Sequence, residues 1–130
     1  MRALVSMLIP TDNAEDWSAL LSTRRLTKFG AEEIIVVDMK LRYETARLMI
    51  YKVGWLMEEN KSTDMDAAMA KLYVSESFVK SCLDAVQIHG GSGFMTELEF
   101  ERELRDSVGS TLYSGTSEIQ RNIIARGLRL

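Results

Sequence analysis

Few residues in this chain could do chemistry, and most of them lie between Gln87 and Arg126. There is one histidine, His89, and one cysteine, Cys82. A single histidine leaves almost no material for a histidine-based metal cluster or a Ser-His-Asp triad. His89 is expected to pack or hydrogen-bond at a helix end. Cys82 sits in a helical pattern and reads as a small core residue rather than a nucleophile. What remains is backbone chemistry at two glycine turns. Gly90, Gly91 and Gly93 break an apolar helical run and let backbone pass close to something bulky. Gly115 sits just ahead of a helix start, with Thr116 and Ser117 as candidate N-caps and Ser117 and Gln120 at capping-box spacing. Uncapped N–H groups at such a start suit a carbonyl or a phosphate. Neither turn fits the phosphate loop or the dinucleotide fingerprint.

The elements that must position these turns read as helices. Met1 to Ile9 is an apolar lead-in ended by Pro10, and Thr11, Asp12 and Asn13 can cap a helix running toward Phe29. Gly30 is its stop. Ala31 to Asn60 reads as a long helix with Ile35, Met39, Ala46, Met49, Ile50, Val53 and Met57 on one face. The run Ile34 to Val37 leaves a strand as the local rival. After a polar turn, Thr63 or Ser62 caps a helix that continues to about Ile88. Its expected seam is Met65, Met69, Leu72, Glu76, Val79, Leu83 and Val86. Glu76 is the one charge on that seam. It either pairs with Arg47 or is solvated because the seam is rotated. Gly90 to Thr96 is a turn. Glu97 to about Ser110 is a charge-dense helix with Leu98 and Leu104 as its narrow apolar face, read as a solvated face with local ion pairs. Thr116 to about Leu128 is the last helix, with Ile119, Ile123 and Ile124 inward.

With 130 residues the expectation is one domain, 1–130. An apolar fraction of 46% against 27% charged residues places it among soluble globular chains. The formal net charge of −3 argues against a nucleic-acid partner. One cysteine excludes an internal disulfide and fits a reducing compartment, so a cytoplasmic location is expected. Ala3 to Ile9 is too short for a membrane span.

The stretch Ala85-Val86-Gln87-Ile88-His89-Gly90-Gly91, then Glu101-Arg102, Arg105-Asp106 and Gly115-Thr116-Ser117-Glu118-Ile119-Gln120-Arg121, resembles the C-terminal end of FAD-dependent acyl-CoA dehydrogenases. The resemblance covers roughly Arg42 to Leu130, and residues 1–41 match poorly. It implies an all-α, antiparallel (up-and-down) four-helix-type bundle with FAD as cofactor. Gln87, Gly90 and Gly91 would approach the adenosine-pyrophosphate part of an FAD held mainly by a neighbouring subunit. Thr116 and Glu118 would lie near the FAD of their own subunit, and Tyr113 and Gly115 beside the acyl substrate. Both bends are thus expected to touch flavin that other polypeptide largely encloses. The family's Arg-x-x-Phe-Gly segment is not reproduced, since Leu26 lies three before Phe29, and that cofactor role is not carried over.

The reaction implied is α,β-dehydrogenation of an acyl-CoA, with the α-proton taken by a carboxylate in a dry pocket. In most members that glutamate directly precedes the Gly-Thr of the second turn, where this chain has Ser114. A hydroxyl is a poor base without a partner. Some relatives take the base from an earlier helix, for which Glu15 or Asp16 could stand in. Implied partners are acyl-CoA and either self-association (dimer or tetramer) or a larger acyl-CoA dehydrogenase subunit. The alternatives are a silent subunit completing a partner's flavin site, a helical oligomerisation module without flavin, and a related flavin monooxygenase.

Overall fold

The computed structural model describes residues 31–130, with side chains from Ile34 onward. The expected lead-in, the helix toward Phe29, the stop at Gly30, and Glu15 and Asp16 lie outside the described residues. The helices are α1 Ala31–Glu58, α2 Asp64–His89, the short α3 Gly91–Phe94, a 3-10 turn Thr96–Leu98, α4 Phe100–Ser110 and α5 Ser117–Gly127. No strand occurs among the described residues, so Ile34 to Val37 is helical. A β-branched run makes a strand only with a pairing edge, and here Val36 instead buries against Ala85 and Ile88.

Local chemistry sets the helix ends. Asn60 takes φ 55, and the Lys61 N–H reaches the Leu56 carbonyl at 2.8 Å while the Asn60 N–H reaches Met57 at 3.1 Å. This is the Schellman pattern, with asparagine tolerating the left-handed position. Thr63 starts α2 with a full capping box: its hydroxyl accepts from the Asp66 N–H at 3.2 Å, and the Asp66 carboxylate accepts from the Thr63 N–H at 3.3 Å. The Thr63 hydroxyl, bonded to Asp66, is the main reason that carboxyl sits below its ordinary pKa.

Helix α2 is the column against which the other described helices pack. Alongside α1 it runs antiparallel: Lys52 meets Asp66 at 3.5 Å, Arg42 pairs with Asp84, and Val36 and Met39 pack on Ala85 and Ile88. On its other side, α4 and α5 lie in series, both antiparallel to α2. The His89 ring meets Phe100 at 4.1 Å, Arg121 reaches Glu76 at 2.6 Å, and Gly127 sits over Met65. The expected all-α antiparallel arrangement is therefore formed, among the described residues, by α1, α2 and the α4–α5 pair in series.

The seam on α2 is not the expected one. Ala68, Ser75, Cys82 and His89 are buried at seven-residue spacing, with Phe78, Ser81, Ala85 and Ile88 beside them. Relative to the set Met65, Leu72, Val79 and Val86, the face is turned by about 60°. Leu83 is 51% exposed, and Glu76 is exposed and paired with Arg121 rather than Arg47. Arg47 instead faces Glu44 at 3.4 Å. The reason is volume: small side chains let helices approach closely, and the larger residues flank the contact. The buried hydroxyls of Ser75, Ser107 and Ser110 each donate to a carbonyl three residues back, which makes their burial tolerable. Cys82 lies in this seam, and burial pushes its thiol up to about 11.

Four further expectations change. Glu99 takes φ 59, so the charged segment is a 3-10 turn and then α4, rather than one helix from Glu97, and Leu98 is exposed. The first turn itself holds the short helix α3. On α5, Ser117 and Gln120 are buried, while Ile119 is 48% exposed and Ile123 and Ile124 are half-buried. Met57 is exposed rather than part of the inner face of α1. That helix carries a second apolar face, opposite the first, made of Ile34, Val37, Leu41, Leu48, Tyr51 and Trp55, all exposed.

Two glycines should respond oppositely to alanine. A Cβ at Gly93 would meet the Val86 carbonyl oxygen at 2.7 Å, whereas one at Gly54 meets nothing within 4 Å. In urea unfolding, Gly93→Ala is expected to destabilise by about 1–3 kcal/mol. Gly54→Ala, in the interior of α1, is expected to stabilise by about 0.5–1 kcal/mol.

Candidate functional site

The first turn caps α2. Gly90 takes φ 55 and ψ −139, a conformation open to glycine and strained for other residues. Its N–H donates to the Gln87 carbonyl at 3.1 Å, and its own carbonyl accepts from Gly93 at 2.9 Å. Gln87, Gly90 and Gly91 are exposed, and a Cβ at Gly91 would meet nothing within 4 Å. Backbone can therefore be approached closely here. His89 faces the other way: it is buried, its Nδ1 lies 2.8 Å from the Ala85 carbonyl, and its ring packs on Phe100. As expected, it serves the helix end.

The second turn, 111–116, joins α4 to α5 and is held from behind. Ser114 has φ 55 and Gly115 φ 88, two consecutive left-handed residues. The Lys71 ammonium, from α2, donates to the Gly115 carbonyl at 2.7 Å. The buried Gln120 amide donates to the Ser114 carbonyl at 3.0 Å and to the Gly115 carbonyl at 3.3 Å. Across a trans peptide the carbonyl and the next N–H point in opposite directions. With both carbonyls turned inward, the N–H groups of Gly115 and Thr116 point away from the clamp. Neither has an acceptor among the described residues. They stand at the start of α5, where the helix dipole adds positive potential.

Thr116 is the N-cap of α5, accepting from the Ile119 N–H at 3.5 Å. The expected Ser117–Gln120 capping box does not form, because Gln120 is spent on the turn carbonyls. Glu118 lies on the exposed side of this helix start; its own backbone N–H and then the Thr116 hydroxyl hold its carboxyl below the usual range. Lys71 is half-buried, and desolvation lowers its pKa against the opposing pull of Glu118 and Glu76. Tyr113 is half-exposed beside Gly109, and the Ser114 side chain is exposed.

The two turns do not share a cleft. Lys71, which anchors the second, is separated from Gly90, which forms the first, by about 28 Å along α2. Tyr113, Ser114, Gly115, Thr116 and Glu118 are brought together; Gln87, Gly90 and Gly91 form a separate site. The two bends therefore form two separate surfaces. Lys71 was missed in the sequence, although a lysine inside Ala67-Ala68-Met69-Ala70-Lys71-Leu72 was a signal. No cluster of three or more metal-ligating side chains occurs among the described residues, and none of their helices is long and apolar enough to cross a membrane.

Residues 21–129 match the family model described as the C-terminal domain of acyl-CoA dehydrogenase. The chain belongs to the acyl-CoA dehydrogenase family. Over 103 residues it is 44% identical to a probable acyl-CoA dehydrogenase, YngJ, of Bacillus subtilis, covering 79% of this chain and 27% of that protein. It is 43% identical over 95 residues to an L-prolyl-[peptidyl-carrier protein] dehydrogenase of Pseudomonas fluorescens, covering 73% of this chain and 25% of the relative. A solved structure of PigA with FAD and proline superposes with a TM-score of 0.82 at 37% identity, over 88% of this chain and 32% of that one. The chain thus spans about a quarter of the length of the curated acyl-CoA dehydrogenase relatives it matches.

The turn's geometry gives a direct test. At Gly115 a Cβ would meet the Gln120 Nε2 at 2.8 Å, and φ is positive. Gly115→Ala is expected to destabilise by about 1–3 kcal/mol in urea unfolding. Ser114→Gly relieves a left-handed side chain but adds freedom to the unfolded chain, and is expected to shift stability by less than about 0.5 kcal/mol.

Proposed function

We propose that this chain is the C-terminal domain, or a split subunit, of an FAD-dependent acyl-CoA dehydrogenase that introduces an α,β double bond into an acyl thioester. The observation that carries the reading is the second turn, whose two free N–H donors stand at a helix start beside Thr116 and Glu118. Such a donor pair suits a flavin or a thioester carbonyl. When bound, FAD supplies the acceptor for the β-hydride. Thr116 and Glu118 would hold the flavin of their own subunit, with Tyr113 and Gly115 on the acyl side. Gln87, Gly90 and Gly91 would meet the flavin of a neighbouring subunit, which agrees with the separation between the turns.

Ser114 does not supply the base. Its hydroxyl is exposed, and no carboxylate of the described residues replaces it: Glu76 is engaged by Arg121, and Glu118 is a flavin-side residue in this reading. The α-proton would leave to a carboxylate on other polypeptide, or the chain is a silent subunit that completes a partner's flavin site. The bare apolar face of α1, Ile34 through Trp55, supports work within an assembly, because an exposed patch of this kind marks a covered surface. A second reading concerns the thioester. The similarity to a prolyl-carrier-protein dehydrogenase favours an acyl group presented on a carrier protein as an alternative to acyl-CoA.

Two measurements test this. Adding FAD to the purified chain should give bound-flavin absorbance; its absence would favour a helical module without flavin. In a flavin-loaded assembly, Ser114→Glu should allow bleaching of the flavin by acyl-CoA. No bleaching with that variant would mean that residue 114 does not face the α-carbon.

A further inference from the structure

We infer that Lys71 is the positioning residue of the flavin-facing turn, acting with Gln120 as a clamp on its carbonyls. The inference rests on the flavin reading of that turn for its purpose, but on geometry for its substance. Lys71 sits on α2, the helix that the rest of the described fold packs against, and so carries the position of a rigid element into a loop. Its Nζ lies 2.7 Å from the Gly115 carbonyl, a charge-assisted bond in a half-buried setting. Gln120 shares that acceptor at 3.3 Å and adds the Ser114 carbonyl at 3.0 Å.

Each bond constrains a different thing. Gln120 belongs to α5 and fixes the turn to its own helix. Lys71 is the one of the two that ties the turn directly to α2. Both residues 114 and 115 are left-handed, a conformation that a free loop would leave for alternatives. Without Lys71, the Gly115–Thr116 peptide keeps only its longer bond to Gln120, at 3.3 Å, and the Thr116 N–H loses its fixed direction relative to that of Gly115. The Ser117 N–H, bonded to the Thr111 carbonyl at 3.1 Å across the turn, then loses its closure too. Lys71 touches no reacting atom in this account. Its role is to set where the donors point and where the side chain of residue 114 leaves the backbone.

The test uses the 130-residue chain and two variants that remove the charge, Lys71→Met and Lys71→Gln, beside the conservative Lys71→Arg. Backbone amide exchange is read at Ser117, with the amides of Val74 to Cys82 on α2 reporting that the bundle is intact. FAD binding is read separately by quenching of flavin fluorescence. Both neutral variants should speed Ser117 exchange at least about tenfold, a change of roughly 1.4 kcal/mol in local opening. The α2 amides should be unchanged, and Lys71→Arg should retain most of the protection. FAD affinity should fall in parallel in the neutral variants and recover with arginine. Unchanged Ser117 protection in the neutral variants would overturn the inference. Lost protection in a chain that binds no FAD at all would support the clamp while removing the flavin reading.

Discussion

The contact on which the rest depends is the bond from the Lys71 ammonium to the Gly115 carbonyl. It joins a loop of unfavourable backbone to the helix that organises the bundle. The consequence is directional. Because a trans peptide opposes its carbonyl and its N–H, turning the Ser114 and Gly115 carbonyls inward turns the Gly115 and Thr116 N–H groups outward. A donor face is thus built from peptide geometry, with few side chains of its own. This gives a chain with one histidine and no acid at position 114 a candidate site. It also explains why Gly115 must be glycine, since a side chain there would strike the amide of Gln120 that holds the turn.

Much of this was legible in the sequence, and the residues that misled did so for identifiable reasons. The long helices, the Thr63 cap and the Thr116 cap followed from periodicity and capping chemistry. The motifs around Gly90-Gly91 and Gly115-Thr116-Ser117-Glu118 identified the family. The seam of α2 did not follow, because ranking by hydrophobicity places Leu83 and Val79 inward and overlooks Ala68, Ser75 and Cys82. Those small residues are inside because close helix approach leaves no room for larger ones, and serine hydroxyls can satisfy themselves on their own helix. Gln120 was legible as a polar residue near a helix start, but its partner was not, because Ser114 and Gly115 become acceptors only once the turn is left-handed. Lys71 required the tertiary fold: nothing local links it to a carbonyl forty-four residues away.

Helix α2 also separates the two glycine turns. Its length sets them about 28 Å apart, which one chain cannot fold away. In the proposed enzyme each turn would serve the flavin of a different subunit, which suits this separation. The bare face of α1 fits the same view. A helix apolar on opposite sides is built to be covered on both, and only one side is covered by α2. The chain spans about a quarter of its curated relatives, so the remaining surface has polypeptide in the family to meet it.

The most direct measurement is a titration of the isotopically labelled chain with FAD, followed by backbone amide resonances. The account predicts saturable shifts at the Gly115 and Thr116 amides that exceed those of the α2 amides from Val74 to Cys82. Saturable FAD binding that leaves the Gly115 and Thr116 amides unshifted would contradict it.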